Sequence, residues 1–188
     1  MKILLLADVQ EINQNVIKII STPGFCDFGV SLGNVSTSCL NMLNSSLPYD
    51  LFYIDGDKDV KSGNNAQLFH YKDKAMCCIN YSKEYEYWNE QSIRHFDSII
   101  NCDIDILFTH HSPTKHVDMY GLPDKPDYIR QLVKIIKPKL NIHGHDCENT
   151  IGTMKTYMRP DVTVIGVTGV MLLELNEEYQ IRKFVSIE

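Results

Sequence analysis

The chain has 188 residues, a formal net charge of −6, 44% apolar residues and 22% charged ones. That length suits one domain, or at most two very small ones, with a core large enough to stand without disulfides or a metal staple. The composition excludes long disorder and fibrous repeats, and the negative balance argues against generic binding along a nucleic-acid backbone, which calls for basic patches.

Lys2 to Ala7 has the apolar run of a short buried strand and ends at Asp8. The run from Ile3 to Ala7 is too short for a signal-peptide core or a membrane span. Glu11 to Ile20 has helical spacing at Ile12, Val16, Ile17 and Ile20, and Pro23-Gly24 breaks it. Phe25 to Leu32 is a second predicted strand, Ser36 to Leu47 a second helix, and Asp50 to Asp55 a third strand closed by Gly56-Asp57. This alternation predicts parallel strands with crossover helices. Gln67 to Tyr71 and Ala75 to Tyr81 flank Lys72-Asp73-Lys74 as a hairpin. Tyr85 to Ile100 is a predicted helix, and Ile104 to Phe108 a buried strand running into Thr109-His110-His111. A long loop from Ser112 to Asp127 precedes a helix at Tyr128 to Ile136 and a strand at Leu140 to Ile142. The segment from Ile151 to Ile187 has the pattern of several antiparallel strands.

The six cysteines form no C-x-x-C pair and no framework spacing, so they are expected as reduced thiols in a cytoplasmic setting. Five of the seven histidines fall between residues 110 and 145. Polar residues follow the carboxyl ends of five predicted strands: Asp8 and Gln10, Asn34, Asp57 and Lys58, His110 and His111, and His145 to Cys147. Ligand sites of open α/β sheets gather at that edge, and imidazole, carboxylate, thiolate and amide oxygen are all metal ligands. Asp8, Asp57 and a Cys147 thiolate would form a strongly negative cluster without a cation, because buried charges must be paired or coordinate metal.

These segments resemble the calcineurin-like metallophosphoesterase family, over nearly the whole chain. The family's D-x-H, G-D-x-x-D, G-N-H-D/E, lone His and G-H-x-H motifs correspond to Asp8-Val9-Gln10, Gly33-Asn34-Val35-Ser36-Thr37, Gly56-Asp57-Lys58-Asp59, His110 and Gly144-His145-Asp146-Cys147. An alternative register, with Gly56-Asp57 as the second motif and Gly63-Asn64-Asn65 as the third, leaves too few residues for the intervening helix and strand. The resemblance implies a single domain over 1–188 with a four-layer α/β/β/α sandwich of two mixed β-sheets, the terminal strands completing the second sheet. It also implies one or two divalent ions (manganese, zinc or iron). One ion would take Asp8, Gln10, Asn34 and Cys147, the other Asn34, Asp57, His110 and His145.

The departures are Gln10 and Cys147 where the family has His, an exchange of Asn and Asp between positions 34 and 57, and Lys58 in place of a catalytic His. An amide bridges two cations poorly, and a lysine with an ordinary pKa of about 10.4 is a poor proton donor near neutrality. Gln10 also suits a helix N-terminus, Asn34 a turn, and Cys147 a buried thiol, so each has two readings. Asp57, His110 and His145 form the better-supplied ligand set. Lys58 and His111 are the candidate catalytic groups, and His116 the candidate substrate contact.

Two functions follow. One is a metal-dependent phosphoesterase acting on a small phosphodiester or nucleotide, without membrane or long nucleic-acid partners. The other is a catalytically weakened module that binds partners on the same scaffold.

Overall fold

Six residues, Lys2–Ala7, form strand β1, and its last five are all buried. Their side chains alternate between two cores, as strand geometry requires. Ile3, Leu5 and Ala7 point into the space between two sheets, while Leu4 and Leu6 lie under helices. The computed structural model describes residues 1–59, 66–81, 96–113, 127–145, 148–154 and 161–188.

After β1 come α1 (Gln14–Ile20), β2 (Phe28–Ser31), α2 (Thr37–Ser46) and β3 (Leu51–Tyr53). β1 pairs β2 and β2 pairs β3, both in parallel, as the alternation predicts. The helix expected from Glu11 begins at Gln14, because Asn13 caps it by accepting the Asn15 N–H. Ser36 caps α2 in the same way through Cys39. Val16, Ile17, Ile20, Cys39 and Leu43 cover the outer face of this sheet.

The hairpin is β4 (Ala66–Tyr71) and β5 (Lys74–Ile79), in antiparallel register. β5 opens a second sheet and is followed by α3 (Asp97–Ile100), β6 (Ile106–Thr109), α4 (Asp127–Ile136) and β7 (Leu140–His143). The expected helix from Tyr85 falls outside the described residues except at its end, as does most of the loop expected from Ser112 to Asp127. Phe96 and Ile99 of the α3 region and Tyr128, Ile129, Leu132, Val133 and Ile136 of α4 cover the second sheet.

The last strands are β8 (Thr150–Met154), β9 (Val162–Gly166), β10 (Gly169–Leu175) and β11 (Ile181–Ser186). Contrary to the expectation that they complete the second sheet, they divide. β9 pairs β7 in parallel and β8 antiparallel. β10 crosses back to pair antiparallel with β1, Leu4 opposite Leu172, and carries β11 with it. The physical reason is the open side of β1: an unpaired apolar edge there would leave its backbone N–H and C=O groups unmet. The orders are β11-β10-β1-β2-β3 and β4-β5-β6-β7-β9-β8, two mixed sheets with helices outside both. The four-layer α/β/β/α expectation is met.

Aromatic rings close the sandwich at one side. Phe52 of β3 stacks on Phe69 of β4 at 3.9 Å, and Phe28 meets both rings edge-on. No helix among the described residues is long and apolar enough to cross a membrane. The five described cysteines are free thiols. Cys77 and Cys78 are core residues, and burial pushes the Cys77 thiol up to about 12.

Candidate metal centre

The carboxyl ends of β1, β2, β3, β6 and β7 lie at one edge of the sandwich, where the chain turns sharply. Asp8, Asn34 and His145 all take left-handed backbone, with φ of 56°, 56° and 64°. Such conformations are uncommon outside glycine and are held by their surroundings. Here the Asp8 N–H is held by the Gly33 carbonyl at 3.2 Å. The turns aim three candidate side chains into the same space.

His110, leaving β6, is 1% exposed. Its Nδ1 stands 2.7 Å from the Leu32 carbonyl, which only accepts, so Nδ1 carries the proton and Nε2 faces the site. Nε2 lies 3.1 Å from Asp57 Oδ1 and 3.2 Å from His145 Nδ1, and His145 Nδ1 lies 3.7 Å from Asp57 Oδ1. Two lone pairs 3.1 Å apart repel, so a proton or a cation must stand between His110 and Asp57. Zinc-type bonds of about 2.0–2.2 Å place neighbouring ligand atoms about 3–3.5 Å apart, a range that holds two sides of this triangle, the 3.7 Å side lying just beyond it. The backbone carbonyl behind His110 is the kind of outer partner that orients a ligating imidazole. The residues present fit one divalent cation. Where a proton rather than a cation fills that gap, His110 donates to Asp57, and this bond outweighs partial burial and, aided by the Asn34 amide, holds the Asp57 carboxyl well below the usual carboxylate range.

His111 joins the group. Its ligand nitrogen lies within 4.8 Å of those of His110 and His145, and its ring sits 3.9 Å from that of His145. Expected at the start of an open loop, His111 is instead buried, with Tyr81 packed against it at 4.7 Å. A buried chain fixes its backbone: Asn141 Nδ2 donates to Thr109 Oγ1 at 3.2 Å, and that hydroxyl donates to the His111 carbonyl at 2.9 Å. His143, two residues before His145, is fully buried, its Nδ1 donating to the Gly144 carbonyl.

Asn34 is 3% exposed and sits between the two carboxylates. Its Nδ2 donates to Asp8 Oδ1 and to Asp57 Oδ1, both at 2.9 Å. Its Oδ1 accepts the Lys58 backbone N–H at 3.1 Å. Gln10 is exposed and donates its amide to the Asn34 carbonyl at 3.1 Å. The Lys58 side chain is exposed. His116 and Cys147 lie outside the described residues.

Asp59 had no assigned role in the sequence. Its Oδ2 accepts the backbone N–H of both Asn34, at 2.8 Å, and Gly56, at 2.7 Å. The sole signal was its place as the acidic fourth residue of Gly56-Asp57-Lys58-Asp59. Gly33 and Gly56 allow the two loops to touch: a Cβ on Gly33 would strike the His110 ring and Gly56, and one on Gly56 would strike Asn34.

No family model matches the chain, and no curated protein matches it in sequence. Solved structures do match in fold. Wild-type Vps29 from Entamoeba histolytica, complexed with zinc, superposes with a TM-score of 0.51 at 13% identity over 100% of both chains. GAP50 of Plasmodium gives 0.53 at 12% identity over 100% of this chain and 88% of its own. Another crystal structure gives 0.70 at 10% identity over 100% and 99%. At these identities the likeness speaks for fold, not chemistry. The chain has the metallophosphoesterase-like α/β sandwich fold that is also the fold of Vps29.

Proposed function

We propose that the chain is a metal-dependent phosphoesterase that hydrolyses a small phosphodiester or nucleotide. The observation that carries this reading is the convergence of Asp57 Oδ1, His110 Nε2 and His145 Nδ1 within 3.7 Å of one another. A Vps29 of similar fold complexed with zinc supports a divalent ion, with manganese and iron as the other candidates. Such an ion would supply Lewis-acid stabilisation of phosphoryl oxygens and a more acidic water.

The chain's own residues supply orientation and proton handling. Leu32 fixes the His110 tautomer, so that a lone pair faces Asp57. His111, beside His145, is the candidate to move a proton to or from the leaving oxygen. The exposed Lys58 ammonium, next in sequence to Asp57, is the candidate to hold a phosphate oxygen. The net charge of −6 favours a small substrate over a long polyanion. Free thiols at all five described cysteines suit a cytoplasmic setting.

A second reading is a partner-binding module. It is favoured by the amide of Asn34 among the carboxylates and by GAP50, a chain of similar fold described as an anchor in the inner membrane complex. Turnover of bis(4-nitrophenyl) phosphate with manganese separates the two, using wild type, Asp57→Ala and His110→Ala. We expect wild-type turnover to exceed that of both variants by about 100-fold or more, the scale of losing an essential catalytic contact. Equal rates in all three would retire the enzyme and leave the binding module.

A further inference from the structure

We infer that this centre takes one cation only, and that the side-chain amide of Asn34 stands where a second would have to sit. The inference rests on the metal reading above.

The orientation of Asn34 decides it. The amide has two hydrogens and spends one on each carboxylate, Asp8 Oδ1 and Asp57 Oδ1. A reversed amide would set its oxygen against two carboxylate oxygens and its NH2 against the Lys58 N–H. Without a cation three hydrogen bonds would become three repulsions, and even with one the reversed NH2 would face the Lys58 N–H, so the amide is held one way round.

Its backbone is equally constrained. Asp59 takes the Asn34 N–H and Gln10 donates to the Asn34 C=O. Gly56 packs so closely that even a methyl group there would meet the Asn34 side chain. A cation shared by Asp8 and Asp57 needs lone pairs directed at it, and Asn34 presents hydrogens. Gln10, expected with Asp8, Asn34 and Cys147 to hold one of two ions, also turns its hydrogens inward, to the Asn34 carbonyl. Among the described residues, the donor set does not fit a second ion. The amide instead holds the two carboxylates together without one.

Metal content and isothermal titration with manganese and with zinc test this on the full chain, using wild type, Asn34→Asp and Asp8→Asn. Wild type is expected to hold one equivalent. Asp8→Asn is expected to keep that equivalent with affinity lowered by no more than about 10- to 100-fold, the scale of an outer partner that reaches Asp57 only through the Asn34 amide. Asn34→Asp is expected to hold two. Its Oδ1 can still accept from Lys58, while its other oxygen now offers a lone pair between Asp8 and Asp57.

Two equivalents in wild type, loss of the ion in Asp8→Asn, or a single equivalent in folded Asn34→Asp would each overturn the inference and leave the metal centre standing. No ion in wild type would overturn the metal reading itself, and the inference with it. If Asn34→Asp fails to fold, the wild-type and Asp8→Asn measurements still decide.

Discussion

A carboxylate oxygen of Asp59 holds the Asn34 backbone N–H at 2.8 Å, tying the loop after β2 to the loop after β3. The same oxygen takes the Gly56 N–H, so a group with no place in the ligand triangle sets the spacing between Asn34 and Asp57. Asp59→Ala leaves two N–H groups without this acceptor, and we expect a stability loss of about 1–3 kcal/mol. Metal affinity should fall by about 10- to 100-fold, as for other outer-shell partners. Asp59→Asn keeps an acceptor oxygen and should recover part of both. Urea denaturation and titration calorimetry check these outcomes. Unchanged affinity in Asp59→Ala would remove Asp59 from the site.

Gly33 and Gly24 make a controlled pair. Both have positive φ, 99° and 78°, but a Cβ on Gly24 meets nothing within 4 Å, whereas one on Gly33 meets the His110 ring. Gly24→Ala should lose only the backbone preference, about 1 kcal/mol. Gly33→Ala should lose that and, by forcing His110 or Gly56 to shift, a further 1–3 kcal/mol or so, as overpacking does. It should also weaken metal binding, which Gly24→Ala should not. Equal stability losses from the two substitutions would contradict the close approach.

The buried relay behind His111 makes a third test. Thr109→Val removes the hydroxyl that accepts from Asn141 and donates to the His111 carbonyl, with both Thr109 and Asn141 fully buried. We expect a loss of about 1–3 kcal/mol, since two buried polar groups lose a partner. Thr109→Ser should restore most of it. Thermal and urea unfolding of the two variants decide, and equal losses would show that the methyl group matters as much as the hydroxyl.

A fourth prediction concerns pH and lies away from the site. Burial pushes the Asp105 carboxyl up, but hydrogen bonds from Lys139 at 2.7 Å, from Tyr179 and from the Ala75 N–H at 3.0 Å outweigh it and leave its pKa lowered. A carboxylate lowered in the folded state stabilises fully above its unfolded pKa of about 3.9, and the gain fades as pH falls through its folded value. Asp105→Asn should therefore be less stable than wild type by about 1–2 kcal/mol near neutrality, the scale of a charge-assisted hydrogen bond discounted for the exposed Lys139. The gap should narrow as pH drops below about 4. Urea denaturation at pH 7 and pH 3 measures it, and a gap that widens in acid would reverse the assignment.

The local elements were legible because their signals are local. β1 matches its apolar run residue for residue, and α2 matches to its cap at Ser36. α1 starts late because the Asn13 side chain, rather than apolar spacing, sets where helical hydrogen bonding begins. The placement of β10 beside β1 was not legible, since nothing near Gly169 in sequence records a pairing with Ala7.

At the site, His110, His145 and Asp57 were legible as coordinating types after strands, and the structure brings them together. The part played by Asn34 was not. Whether an amide offers oxygen or hydrogen depends on which neighbours donate, and here that neighbour is the Lys58 backbone N–H, a group every residue but proline carries. Asp59 was missed for the same reason: it serves backbone N–H groups, which leave no mark on the residues they belong to.

The pairing of β1 with β10 also bears on how the chain is made. Synthesis delivers β1, α1 and β2 early, and β2 can settle beside β1 with only one helix between them. The opposite edge of β1, flanked by Leu4 and Leu6, must wait until nearly all the described strands have left the ribosome. During that interval the nascent chain presents an apolar strand edge of the kind that recruits other strands. Closing the first sheet is therefore a late, long-range event, the kind of pairing whose loop-closure cost slows folding. Substitutions in β10, such as at Leu172 opposite Leu4, should lower the yield of folded protein from cells more than their effect on the finished molecule suggests.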